Sequence, residues 1–301
     1  MPIKVPSSFP AVAALQREKI YLTGKPSPET PCAHPARLLI LNLMPLKIDT
    51  EINLLRVLSG TPFTIETDWI VPQGHHSKNT PAEHIEKYYK HFSDVKSLHY
   101  DGMIITGAPV EHLPFEEVDY WAELTEIFDW TQTHVTSTLY LCWGAVAGLY
   151  YYYGIPKSML PQKCFGVFPH EVIDATHPLF RGFDDIFYVP QSRHCEVRRE
   201  DVEKVADLSI LSASHESGLH AIATRQGAQF FIMGHSEYAP YTLDAEYRRD
   251  LSRNLPIVLP RHYYHDNNPA NPPVVTWRAH GNLFFTNWLH NFVCNPNLPS
   301  Q

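Results

Sequence analysis

The residue best placed for chemistry is Cys142, in Thr138-Leu-Tyr-Leu-Cys-Trp-Gly-Ala145. Thr136 to Cys142 reads as a strand, and Trp143 to Tyr150, built of small and apolar residues, reads as a helix that starts straight after the thiol. A helix N-terminus aims its positive end and free N–H groups at the sulfur, which favours thiolate and stabilises an oxyanion formed beside it. Gly144 and Ala145 keep this turn uncluttered, and it has the form of a nucleophile elbow, with Tyr140 where a glycine is usual two residues before the nucleophile. A base is offered by Gly234-His-Ser-Glu-Tyr238. His235 follows the apolar run Ala228 to Met233 and so also ends a strand, and Glu237, two residues on, is placed to fix the imidazole tautomer and stabilise its charged form. On residue type alone, Cys142 fits inert core packing as well, and His235, one of 18 histidines, fits the capping of a turn.

Bringing a strand-end cysteine to a strand-end histidine requires a parallel sheet, and the rest of the chain has the punctuation of one. Leu38 to Met44, Phe63 to Val71 and Tyr100 to Thr106 read as strands, alternating with helical stretches at Asp49 to Leu58, Pro81 to Phe92 and Phe115 to Thr131. The second half is richer in β-like runs: Val167 to Ile173, Ile186 to Val189, Leu208 to Ser212, Leu219 to Thr224 and Ala228 to Met233. Helical stretches follow at Leu243 to Arg253 and Asn282 to Val293. The pattern predicts an α/β fold with a mostly parallel central sheet flanked by helices, with additional antiparallel strands. Seven prolines between Pro2 and Pro35 are dense enough to break regular elements, so residues 1–36 are expected to form an arm over a single α/β domain spanning 37–296, with a short tail at 297–301. Apolar Ile3, Val5 and Phe9 in that arm predict an ordered segment, packed on the core or on a second subunit, and a homodimer.

Composition narrows the partners. With 24 Lys and Arg against 32 Asp and Glu, the net charge of −8 disfavours a general grip on nucleic acid or anionic lipid. The most apolar stretch, Leu139 to Tyr153, is interrupted by Gly144 and Gly148 and is shorter than the roughly 18 residues that suggest a membrane span. Five cysteines with no Cys-x-x-Cys pair, and a start without a basic and apolar leader, predict a cytoplasmic protein with free thiols. His75-His76, His262 with His265-Asp266, and His34 lack metal-ligand spacing, so no metal is expected. No Gly-x-Gly-x-x-Gly or Walker loop is present, which leaves neither dinucleotide nor nucleoside triphosphate indicated.

Asn42-Leu-Met-Pro45, Thr106-Gly-Ala-Pro-Val110, Val118-Asp-Tyr-Trp121, the Cys142 segment, Phe165-Gly-Val-Phe168, Gly234-His-Ser-Glu-Tyr238 and Trp277-Arg-Ala-His-Gly281 together resemble the homoserine O-acyltransferase (transsuccinylase) family of methionine biosynthesis, from about Pro2 to Val293. The resemblance implies a fold similar to class I glutamine amidotransferases and a ping-pong acyl transfer through a cysteine thioester. Cys142, His235 and Glu237 then match nucleophile, base and orienting acid, and Lys163, Ser192 and Arg249 match the substrate pocket. A guanidinium and a hydroxyl suit an amino-acid acceptor, although Arg249 by itself reads as an exposed helix charge and Lys47 equally as a solvated loop lysine. Backbone N–H groups of Trp143 and the Gly107 loop would form the oxyanion hole.

Glu111 stands at the position that, in this resemblance, goes with acetyl-CoA rather than succinyl-CoA. Its carboxylate would repel the distal carboxylate of a succinyl group, whereas a solvated loop glutamate would leave donor choice open. The expected activity is therefore O-acetylation of L-homoserine from acetyl-CoA as co-substrate, with no tightly bound cofactor. Alternatives are L-serine acetylation for cysteine biosynthesis, succinyl-CoA as donor, a glutaminase-type amide hydrolase, and a catalytically silent binding protein.

Overall fold

A computed structural model describes residues 3–4, 6, 9–17, 35–73, 79–224 and 226–294 of the 301-residue chain. The strands are β1 (Ile3–Lys4), β2 (Ala36–Leu41), β3 (Ile65–Ile70), β4 (Tyr100–Ile105), β5 (Val135–Leu141), β6 (Ser158–Val172), β7 (Ile186–Glu196), β8 (Leu208–Ser214), β9 (Gly218–Thr224) and β10 (Gln229–Ile232). The helices are α1 (Pro10–Arg17), α2 (Lys47–Ser59), α3 (Ala82–Tyr88), α4 (Phe92–Val95), α5 (Trp121–His134), α6 (Trp143–Tyr153), α7 (Arg199–Val202), α8 (Thr242–Ser252) and α9 (Arg278–Trp288), the last running on into a π-helical turn at Leu289–Cys294.

All ten strands form one sheet in the order β1-β3-β2-β4-β5-β10-β9-β8-β6-β7. Pairings from β1 to β10 are parallel, and those from β10 to β7 are antiparallel. The expected α/β architecture is thus present. Strands β2, β4 and β5 are buried along nearly their whole length, which is why they read as unbroken apolar runs. Two large apolar clusters are built on the sheet: one holds Leu38, Ile40, Leu54, Leu58, Phe230 and Trp288, the other Leu39, Met103, Phe128, Tyr140, Trp143 and Phe231. The alternation along β2 and β10 sends neighbouring residues to opposite clusters.

Several boundaries differ from the sequence reading. The stretch Phe115 to Thr131 is not one helix, because Val118 is extended after a short 3-10 turn and α5 starts only at Trp121. Tyr89 is likewise extended and divides Pro81 to Phe92 before α4 begins. Strand β6 starts at Ser158, nine residues before the expected Val167, in text whose half-exposed polar residues and register shift between Met159 and Cys164 hide the period of two. The Pro-rich start does form regular elements: β1 pairs with β3, and Pro10 opens α1, where its missing N–H costs no helical hydrogen bond. Phe9 is buried against Trp69, Tyr88 and His84. Val5, His34, His75 and His76 lie outside the described residues.

Candidate active site

Strands β5 and β10 run parallel, with Leu141 opposite Ile232, so the residues that follow them leave the sheet side by side. Neighbouring strands lie about 4.8 Å apart. Cys142, the first residue beyond β5, donates its N–H to the Ile232 carbonyl at 2.7 Å and takes φ 50°, ψ −116°, a conformation rarely adopted by a residue with a Cβ. That sharp turn starts α6 at Trp143 and keeps the thiol at the helix N-terminus, as the elbow reading requires. Gly144 is needed there: a Cβ would lie 2.6 Å from the Thr106 carbonyl oxygen. Gly107 brings the β4 loop equally close, since a Cβ on it would stand 3.1 Å from Cys142 Cβ and 3.7 Å from Sγ.

His235 emerges three residues after β10 and is tied to β7 through its N–H to the Pro190 carbonyl at 2.9 Å. Its Nδ1 is 2.7 Å from Glu237 Oε1, its side chain is hydrogen-bonded to Cys142, and Tyr238 stacks on the ring with centroids 4.1 Å apart. All three members of this set are buried, at 7% exposure for Cys142, 4% for His235 and 6% for Glu237. Burial disfavours the imidazolium, but the Glu237 carboxylate and the Cys142 sulfur outweigh it and hold the His235 pKa well above its ordinary value. The site therefore favours a charged imidazole beside the Cys142 sulfur. Two other thiols lie within electrostatic reach of Cys142: burial raises the pKa of Cys164, and burial, reinforced by Cys142 and Glu111, pushes Cys195 up to about 12.

A second polar group adjoins the first. Ser192 on β7 lies with its Oγ 2.9 Å from both carboxylate oxygens of Glu246 on α8, and Lys163 on β6 ion-pairs with the same carboxylate. Arg249, one turn along α8, is 3.7 Å from Glu246 and 2.7 Å from Asp250, and Lys163 is 4.0 Å from Asp250. The structure thus gathers the three residues expected to hold the acceptor, around an acid that sequence reasoning missed. Its signal was present: Glu246 and Arg249 are three apart on one helix and share a face.

The chain belongs to the homoserine O-succinyltransferase family, whose model matches residues 2–298. Curated relatives include a protein named homoserine O-acetyltransferase from Bacteroides thetaiotaomicron, 55% identical over 97% of this chain and 96% of its own. Another of that name, from Desulfitobacterium hafniense, is 52% identical over 97% and 95%. Among solved structures, a glutamine amidotransferase from Thermotoga maritima is similar in fold, with a TM-score of 0.58 at 13% identity over 86% of this chain and 99% of that one. A glutamine amidotransferase from Methylobacillus flagellatus gives 0.50 at 12% identity over 85% and 94%.

Within this family member, two sequence alternatives are corrected. Lys47 is no solvated loop lysine: it opens α2 at 1% exposure, and burial lowers its pKa to about 8 although Glu51 opposes the shift. Glu111 is no solvated loop glutamate either, being 7% exposed. It lies within electrostatic reach of Lys157 and of His194, whose ring packs 4.9 Å from His112. Burial lowers the His194 pKa, against the pull of Glu111. Among the described residues, no three His, Cys, Asp or Glu side chains group to hold a metal ion, and no helix is long and apolar enough to cross a membrane.

Proposed function

We propose that this chain is a homoserine O-acetyltransferase that uses acetyl-CoA and passes the acetyl group through a thioester on Cys142. The observation that carries the reading is the close set of Cys142, His235 and Glu237, with the Glu246-centred cluster on neighbouring elements. In the first half-reaction Sγ of Cys142 attacks the thioester carbonyl, His235 takes the thiol proton, and backbone N–H groups of Trp143 and the Gly107 loop receive the oxyanion. The bond to the CoA sulfur breaks, and His235 returns the proton to the departing thiolate. In the second, His235 deprotonates the acceptor hydroxyl, which attacks the acetyl carbonyl. The bond to Sγ breaks, giving the ester, and the proton on His235 returns to the site. Glu237 orients and stabilises the charged imidazole in both halves.

An amino-acid acceptor carries one negative and one positive group, and the cluster has matching partners for each. Lys163 and Arg249 suit its carboxylate, Glu246 its ammonium, and Ser192 either. Glu111, buried near the site, supports acetyl over succinyl, since a second carboxylate brought against it meets repulsion in a place with little water.

The test is a panel: pure protein with acetyl-CoA or succinyl-CoA, a thiol reporter, and L-homoserine, L-serine or no acceptor, with ammonia release from L-glutamine measured alongside. Acetyl-CoA turnover dependent on L-homoserine is expected. Preference for L-serine, preference for succinyl-CoA, ammonia release, or no turnover would each overturn a named part of the reading. Glu111→Gly is expected to raise succinyl-CoA turnover relative to acetyl-CoA by about tenfold, the equivalent of about 1.4 kcal/mol of relieved repulsion. Glu111→Gln, which removes charge but keeps bulk, separates electrostatics from space.

A further inference from the structure

The hydroxyl of Thr106 both donates and accepts within the fold. Thr106, the first residue beyond β4, is 2% exposed and donates its own N–H to the Leu41 carbonyl at 3.1 Å. Its Oγ1 accepts the Leu43 N–H at 2.8 Å and donates to the Gly107 carbonyl at 3.1 Å. The Leu43 segment is itself anchored from below. Lys47 Nζ donates to the Asn42 carbonyl at 2.7 Å and to the Met44 carbonyl at 3.1 Å. Asn42 donates to the Tyr89 hydroxyl at 2.9 Å, and that hydroxyl and His84 converge on Glu51 at 2.6 and 2.8 Å. These linked buried partners anchor the loop after β2, with only Glu51 Oε2 in the set left without a hydrogen-bond partner.

We propose that Thr106 is a positioning residue for acyl transfer, its hydroxyl setting the orientation of the Gly107–Ala108 amide beside the Cys142 sulfur. The peptide is planar and trans, so turning the Gly107 oxygen toward Thr106 faces the Ala108 N–H the opposite way and keeps a carbonyl lone pair out of the space where the oxyanion forms. Gly107 has no side chain to restrict its rotation, and a Cβ there would crowd Cys142 Cβ at 3.1 Å, so the neighbouring hydroxyl supplies the restraint. The inference rests on the reading of Cys142 as an acyl-accepting nucleophile.

Thr106→Val removes the hydroxyl at nearly constant shape, and Thr106→Ser retains it. Three rates are compared: acetyl transfer from acetyl-CoA, acetylation of Cys142 by p-nitrophenyl acetate, and alkylation of Cys142 by iodoacetamide. The first two pass through an oxyanion, and the third does not. Thr106→Val is expected to slow both acetylations about 10- to 100-fold in kcat, with acceptor KM and alkylation rate unchanged, and Thr106→Ser to restore them to within a few-fold. Parental acetylation rates in Thr106→Val, an alkylation rate that falls in step, or a serine variant as slow as the valine one would each overturn the proposal. If the parental chain reacts with p-nitrophenyl acetate but not with acetyl-CoA, the donor assignment fails while the role of Thr106 is still read from the ester. If it is alkylated but takes acetyl from neither, both fall.

Discussion

At the scale of single residues, the proposed mechanism divides the site into groups that act on the acyl group and groups that hold the acceptor, and substitutions should separate them. Cys142→Ala is expected to abolish transfer while leaving the thermal midpoint within a few degrees, since loss of one sulfur at a strand end is a small change of packing. Labelled acetyl that still reached the acceptor at the parental rate would exclude the thioester. Glu246→Gln keeps hydrogen-bonding atoms near Ser192 but takes away the charge that Lys163 and Arg249 face. It should raise the acceptor KM at least about tenfold and leave the first half-reaction, followed with acetyl-CoA alone, unchanged. A change confined to the first half-reaction would place Glu246 on the donor side instead.

At the scale of elements, the position of Cys142 depends on how closely α6 approaches β4. Gly144→Ala would set a methyl against the Thr106 and Ile105 carbonyl oxygens, at 2.6 and 3.0 Å, so the helix must withdraw. We expect a loss of about 1–3 kcal/mol in chemical denaturation, together with slower alkylation of Cys142, and unchanged alkylation would show that the helix end had not moved. These elements were legible in the sequence because strand, cysteine and helix follow without a linker, and because His235 ends an apolar run of its own. Of the cluster around Glu246, Lys163, Ser192 and Arg249 were legible only through resemblance, and Glu246 was not read at all. Its members come from β6, β7 and α8, and polar side chains that meet across three elements leave no mark on periodicity. Lys47 was unreadable for a related reason: its burial is made by Asn42, Met44 and Glu51, and a lysine near a loop ordinarily points to solvent.

At the scale of the whole molecule, two buried histidines make the fold sensitive to acid. Burial lowers His170 to about 4 and His220 well below its ordinary value, and the rings stand 4.8 Å apart near the buried Arg193. Between pH 6.5 and 4 the unfolded chain binds protons that the folded rings refuse, so stability falls as pH drops through that window, by about 3 kcal/mol from His170. His235 works in the opposite sense: its raised pKa adds stability below the unfolded value, and this is lost as pH rises through the folded one. Both ring nitrogens of His220 are buried without a hydrogen-bond partner, so His220→Phe should hold stability at pH 7 and lessen the fall in thermal midpoint between pH 7 and 5. A steeper fall would sink this account. The order of the sheet also carries a consequence for synthesis. Strand β10 is the last in sequence among the described residues, yet it fills the place between β5 and β9, pairing Gln229 with Thr138. For about 90 residues of elongation β5 therefore has an unpaired edge, while β6 to β9 can close on one another as a local antiparallel group. Insertion of β10 joins those two halves, and because His235 follows it by three residues, the same event brings the imidazole to Cys142: under the proposed mechanism, an emerging chain holds a silent thiol until its sheet is complete.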